Sequence, residues 1–146
     1  MSTFFINKKD VQTKSWQVVD ARGQIVGRLA SRIARILMGK EEPDFTPHVE
    51  TGSGVIVLNA SQVRVTGNKP KTKMYKSYSG YPKGLIEKSY ERVLKEDPTH
   101  IIRHAVEGML PKSRLGSRMA SRLLVYPGMD HPHKAQKPKT VEWKQK

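Results

Sequence analysis

Cysteine is absent from all 146 residues of the sequence. This absence excludes disulfides, thiolate zinc sites, iron–sulfur clusters and cysteine nucleophiles together. Long apolar runs are also missing, because the longest, at 55–58 and 123–125, are far too short to span a bilayer. The polar start at 1–14 lacks the hydrophobic stretch of a signal peptide. We therefore expect a cytoplasmic protein without a membrane segment.

Acidic residues are scarce relative to basic ones. The chain has 13 Asp and Glu against 27 Lys and Arg, a formal net charge of +14 and a sequence pI near 10.1. This excess is greater than solubility requires, so a polyanionic partner is expected. Nucleic acid fits better than a membrane surface, because the short apolar runs are typical of strands rather than of a surface-lying amphipathic helix.

The length and the 36% hydrophobic content suit one modest core, and we predict a single domain over 1–146. Within it we expect an N-terminal arm at 1–14, an α/β core at 15–126 and a basic tail at 127–146. The tail is rich in Pro, Lys and His and cannot form a core of its own.

The first half of the core has the pattern of a βαβ unit. β-branched and aromatic residues predict a strand over 16–20, and a continuous apolar run predicts a buried parallel strand over 55–59. Between them, apolar residues recur at helical spacing from Gly27 until Gly39 ends the helix. The apolar side of this helix consists of Leu29, Ile33, Ile36 and Leu37, and the opposite side carries Arg28, Arg32 and Arg35.

The second half predicts a short strand over 62–66, helices over 89–96 and 98–108, and a last strand over 123–126. Asp97 is the expected N-cap of the second helix and Pro98 its first residue. The buried stripe of this helix is predicted as Ile101, Ile102, Ala105, Val106 and Met109.

A row of arginines is the most informative local feature. Arg114, Arg118 and Arg122 recur every four residues, and no carboxylate lies between Lys112 and Tyr126. At about 100° per residue this spacing predicts one cationic helix side, with Leu115, Met119 and Leu123 facing the core. We expect the arginines to be exposed, to contact phosphates and to be replaceable without loss of stability.

A lysine cluster forms a second candidate surface. No acidic residue lies between Glu50 and Glu87, where Arg64 and five lysines accumulate. Three tyrosines are interleaved with them, as in surfaces that bind nucleic acid through charge and stacking. The lysines are Lys69, Lys71, Lys73, Lys76 and Lys83, and the tyrosines are Tyr75, Tyr78 and Tyr81.

Catalytic and metal sites are not predicted. The turn between Gly23 and Gly27 lacks the spacing of a Rossmann fingerprint or a P-loop, so it is interpreted as a turn before a helix. His131 and His133 resemble a metal pair, but convergent ligands are too few, and contact with nucleic acid is the preferred interpretation. His100 and His104 lie one helical turn apart without the glutamate of a metalloprotease motif, which favours a solvated or RNA-facing side.

Several blocks taken together resemble the bacterial large-subunit ribosomal proteins of the L-thirteen family. The resemblance covers nearly the whole chain and is carried by blocks at 19–23, 27–31, 46–48, 57–60, 65–69, 80–82, 108–112, 115–116, 124–126, 131–133 and 135–136. The departures from the family pattern are Glu50, Ser53, Lys83, Lys134 and Lys137.

The resemblance implies a three-layer α/β/α fold around a mainly parallel four-stranded sheet, with extended basic termini. It implies a non-enzymatic constituent of the large (50S) ribosomal subunit that contacts 23S rRNA and neighbouring ribosomal proteins and supports early assembly, with possible mRNA binding and translational repression. It implies no cofactor, no metal and no small-molecule substrate.

We expect rRNA contacts from one set of residues. They are Arg28, Arg32, Arg35, Lys69, Lys71, Lys73, Tyr75, Lys76, Tyr78, Lys83, Lys112, Arg114, Arg118, Arg122, His131, His133, Lys134 and Lys137. The alternative is a free-standing basic RNA- or DNA-binding regulator, although neither a recognition helix nor an aromatic RNP-like sheet is evident.

Overall fold

The computed structural model describes residues 15–141 and 143, and the predicted arm at 1–14 lies outside them. The strands are β1 (Trp16–Asp20), β2 (Gly54–Leu58), β3 (Met74–Tyr78), β4 (Leu85–Ser89), β5 (Leu123–Val125) and β6 (Lys139–Val141). The helices are α1 (Val26–Met38), α2 (Lys69–Thr72), α3 (Tyr90–Glu96), α4 (Pro98–Met109) and α5 (Arg114–Ser121). Two short 3-10 turns lie at Ala60–Gln62 and His133–Gln136.

Four strands form one parallel sheet in the order β5-β2-β1-β6. The mixed α/β class and the parallel four-stranded sheet are thus confirmed. β1 and β2 are joined by α1, which is the predicted βαβ unit. β6 was not anticipated, because it lies in the segment for which the sequence predicts a basic tail.

α1 forms where the apolar spacing predicts it and supplies much of the core. Leu29, Ile33 and Leu37 are fully buried in this helix, and Ile36 is also buried. The helix ends at Gly39, whose φ of 78° is left-handed and whose amide donates to the carbonyl of Ile36 at 3.0 Å.

The two faces of the sheet are covered differently. Side chains alternate along a strand, so Val19 and Val57 point to the opposite face from Trp16 and Ile56. The first pair belongs to the core cluster that includes the buried residues of α1, α3, α4 and α5. On the other face, His133 in the second 3-10 turn stacks on Trp16 with ring centroids 6.3 Å apart. The helices therefore pack with the face that carries Val19 and Val57, and the second 3-10 turn contacts the other face through His133.

β3 and β4 form a separate antiparallel hairpin that the sequence analysis missed. The pairing joins Met74 to Ser89 and Tyr78 to Leu85. The predicted strand over 62–66 is wrong, since this segment makes only an isolated bridge between Ile25 and Arg64.

The two helices after the hairpin begin close to the predicted residues. Asp97 caps α4 as expected, and its Oδ1 accepts hydrogen bonds from the amides of Thr99 at 3.0 Å and His100 at 3.3 Å. Ile101, Ile102 and Val106 are buried. Met109 is 42% exposed, so its predicted place in the buried stripe is wrong.

Candidate nucleic-acid interface

α5 presents the first two arginines of the predicted row to solvent. The Ser113 hydroxyl caps the helix by accepting a hydrogen bond from the Gly116 amide at 3.3 Å. Lys112, Arg114 and Arg118 are exposed at and after this cap. These cations are placed where a phosphate backbone can reach them.

Arg122 departs from the row, which corrects the expectation that all three arginines are exposed. Its side chain is only 13% exposed and lies 3.6 Å from Oε1 of Glu50. The guanidinium donates hydrogen bonds to the carbonyl oxygens of Gly52 and Leu37. Burial lowers the pKa of the Arg122 guanidinium, and the negative charge of Glu50 opposes that shift. Arg122 therefore joins the end of α1 to the segment before β2.

Two physical reasons explain the departure. A step of four residues turns a helix by about 40° beyond a full circle, so the third arginine lies about 80° from the first. In addition, α5 ends at Ser121, and Arg122 is its C-cap. The predicted apolar partners do pack inward, since Met119 and Leu123 are buried and Leu115 is partly buried against the core.

A cleft of about 870 Å³ lies between α4 and α5. Three cations line it, namely Arg103, Lys112 and Arg114, together with one carboxylate, Glu107. Three serines, Ser113, Ser117 and Ser121, also line the cleft. Sequence reasoning missed Arg103; its signal was a position on the non-apolar side of α4.

The hairpin carries the lysine cluster. Lys69 and Lys71 are exposed on α2, and Lys83 is exposed in the turn with a left-handed φ of 60°. Tyr78 is 66% exposed and Tyr81 is 75% exposed, so both rings are open to solvent. The turn of the hairpin thus combines the charge of Lys83 with the aromatic surface of Tyr78 and Tyr81, while Lys69 and Lys71 lie on the helix before β3.

Lys76 and Tyr75 make intramolecular contacts within the cluster. Lys76 lies opposite Glu87 in the hairpin, and Lys76 Nζ is 2.7 Å from Oε1 of Glu87. Tyr75 is partly buried, and burial raises the pKa of its phenol, with a further contribution from Tyr90. Lys73 Nζ lies 5.1 Å above the Tyr75 ring.

The α1 arginines are divided between solvent and packing. Arg28 and Arg35 are exposed, and Arg35 Nε lies 4.0 Å from Oε1 of Glu41. Arg32 lies against the Trp143 ring, with its guanidinium carbon 5.5 Å from the ring centroid.

The two tail histidines pack against the protein. His133 Nε2 is 2.6 Å from the Tyr126 hydroxyl, and the His133 amide donates to Nδ1 of His131 at 3.2 Å. Lys134 and Lys137 are exposed beside them. Among residues 15–141 and 143, no three His, Asp or Glu side chains converge in a way that would hold a metal ion. In the same range, no helix is long and apolar enough to cross a membrane.

The fold and these surfaces define an α/β protein with two exposed cationic regions, one around α5 and one around the hairpin. Comparison with known proteins gives the family. The model of the family described as Ribosomal protein L13 matches residues 14–132. The chain belongs to this family, as its sequence blocks predict; it is a family of ribosomal proteins and not of enzymes.

Individual relatives match over almost their whole length. The chain is 52% identical over 142 residues to large ribosomal subunit protein uL13 of Thermoanaerobacter sp. (strain X514), which covers 97% of this chain and 99% of that protein. It is 54% identical over 138 residues to the uL13 protein of Salinibacter ruber, covering 94% of this chain and 93% of the relative. The uL13 protein of Solibacter usitatus is 49% identical over 138 residues, with 94% and 96% covered.

Proposed function

We propose that this protein is a structural constituent of the large ribosomal subunit in the cytoplasm, where it binds 23S rRNA beside neighbouring ribosomal proteins and enters early in subunit assembly. The observation that carries the RNA contact is the cleft between α4 and α5. There, three cations and three serines line a single cleft, and only one carboxylate accompanies them.

The cleft suits phosphate recognition rather than base reading. Arginine and lysine donate to phosphate oxygens without regard to sequence, whereas Asn and Gln read adenine through bidentate contacts with the base edge. Asn and Gln are absent from the lining of the cleft. Binding is therefore directed by charge and by RNA shape.

The cationic hairpin is the second proposed RNA contact. Among the described residues, Lys69, Lys71 and Lys83 take part in none of the ion pairs. Their charges are free to displace counterions from an RNA backbone. We propose rRNA as this polyanion because the family is ribosomal; no feature of the described surface favours mRNA.

The test is the salt dependence of binding to a 23S rRNA transcript. The double variant Lys112→Gln/Arg114→Gln removes two cations of the cleft. The log–log slope of affinity against salt is expected to become shallower by about 2, and affinity is expected to fall. The matched control is Lys40→Gln/Lys95→Gln, which removes the same charge from exposed positions outside both regions.

A flat salt response of the parent protein, or equal slopes for the cleft variant and its control, contradicts the assignment. Sedimentation separates the ribosomal role from that of a free-standing regulator. The protein is expected to remain with large subunits after a high-salt wash, whereas a regulator sediments apart from them.

A further inference from the structure

A second cavity of about 440 Å³ lies between the hairpin and the two helices that follow it. β3 contributes Tyr75 and Ser77, α3 contributes Val93, and α4 contributes His100 and His104. Neither of the two RNA contacts proposed above uses this cavity.

Its walls are aromatic. His100 and His104 stack on each other one turn apart on α4, with ring centroids 5.6 Å apart and planes inclined by 23°. The Tyr75 ring meets them edge-on, at 5.9 Å from His100 and 5.5 Å from His104. Both histidines are exposed, so their rings are accessible from solvent, while Val93 is buried and gives an apolar floor.

The carboxylates at this cavity are already engaged. Glu96 accepts from Lys88 Nζ at 2.8 Å and from Arg92 Nε at 2.7 Å. These two hydrogen bonds lower the pKa of Glu96 to about 2. Asp97 Oδ1 is occupied by the cap of α4. Their charges are therefore compensated and do not repel a polyanion at full strength.

Two further cations lie just before β3, the strand that contributes Tyr75 to the cavity. Lys73 Nζ lies over the Tyr75 ring, 5.1 Å from its centroid. It enters none of the ion pairs among the described residues, and Lys71 precedes it on α2. Accessible rings beside unpaired lysines are the combination by which proteins hold unstacked nucleotides.

We propose that this cavity binds one unstacked nucleobase of an RNA bulge or loop, with the base against the His100, His104 and Tyr75 rings and its phosphate towards Lys73. The inference rests on the proposed RNA binding and adds to it a preference for unpaired over paired RNA. An apolar side chain of a neighbouring protein is the rival occupant, but it would gain nothing from the unpaired lysines.

The test compares two fluorescent RNA hairpins. One carries a single bulged 2-aminopurine, and the other has the same base paired. The binding measurements of both hairpins are made in one buffer at about pH 8.5. The parent is expected to prefer the bulged RNA by at least about fivefold, the lower end of what one stacked base contributes.

The variant His100→Ala/His104→Ala is expected to bring this ratio close to one while leaving affinity for the paired hairpin unchanged. Alanine is a strong helix former, so α4 is retained. The control is Arg103→Ala, which lies between the histidines on the same helix but lines the other cleft. It is expected to weaken binding of both hairpins equally and to keep their ratio.

The outcomes distinguish this inference from the function on which it rests. Equal, salt-dependent binding of both hairpins by the parent contradicts the nucleobase cavity and leaves RNA binding intact. Binding of neither hairpin, and none of the 23S transcript, contradicts the proposed function itself. A double histidine variant that keeps the bulge preference but enters large subunits poorly assigns the cavity to a protein partner and overturns the proposal.

Discussion

At the residue scale, Arg118 and Arg122 show that two arginines of one predicted row can have different surroundings. Arg118 and Arg122 are one helical turn apart in sequence, yet one is exposed and the other is held by Glu50 and two backbone carbonyls. A sequence pattern records helical spacing but not where the helix stops or what lies beneath it. The correct assignment needed the position of Glu50, which is far away along the chain.

Arg122→Gln is therefore expected to destabilise the protein. Hydrogen bonds to charged groups contribute about 1.5–3 kcal/mol each, so loss of this network should cost about 2 kcal/mol or more of the free energy of unfolding. For a chain of this size that lowers Tm by roughly 4–8 °C. Thermal unfolding followed by circular dichroism measures it.

Arg118→Gln is the control for that variant, because it removes the same charge from an exposed position. Its effect should stay within about 0.5 kcal/mol. A variant at Arg122 as stable as the one at Arg118 would mean that the buried contacts contribute nothing.

At the element scale, local signals account for some elements and long-range contacts for others. α1 and α4 were predictable because their apolar spacing and their caps depend on residues that are close together in the sequence. The hairpin was not, since its strands MYKSY and LIEKS have several exposed apolar residues and little regular alternation. β6 was not either, because Lys139–Val141 becomes a strand only by pairing with β1.

Asp97 caps α4 and is expected to stabilise the fold. Asp97→Ala removes the acceptor for the amides of Thr99 and His100 and should cost about 1 kcal/mol of the free energy of unfolding at neutral pH. Asp97→Asn should cost much less, because asparagine is an equally good cap. Urea unfolding measures both.

The difference in stability between the parent and Asp97→Asn should depend on pH. Hydrogen bonding to Thr99, opposed in part by burial, gives a net lowering of the Asp97 pKa. A carboxylate with a lowered folded pKa stabilises the fold above its unfolded pKa of about 3.9 and loses that contribution as the pH falls. The parent should therefore lose stability relative to Asp97→Asn below about pH 4. A constant difference between them at every pH would contradict the assignment.

At the scale of the whole molecule, the net charge of +14 acts on the folded chain as well as on its partner. Like charges repel in the compact state, and salt screens that repulsion. The free protein should therefore melt at a higher temperature in 0.5 M than in 0.05 M potassium chloride, while its RNA affinity falls over the same range. Calorimetry of the free protein measures the first effect, and a Tm that falls with salt would show that attractive ion pairs dominate instead.

Packing between elements limits how much of the candidate site could be predicted from the sequence alone. The family, the cationic character and the exposure of Arg114 and Arg118 could be predicted from the chain, because they depend on composition, helical spacing and local blocks. The cleft and the aromatic cavity could not, since each joins side chains from elements whose relative placement is decided by packing.

The order of strands in the sheet bears on how the chain is made. β1 and β6 are neighbours, yet Gln17 and its partner Lys139 are roughly 120 residues apart. At translation rates of about 5–20 residues per second, β6 is synthesised roughly 6–24 s after β1. During that time one edge of β1 presents unpaired amides and carbonyls, the kind of edge that recruits other strands. We therefore expect this edge of β1 to need protection from wrong pairing until β6 has been synthesised.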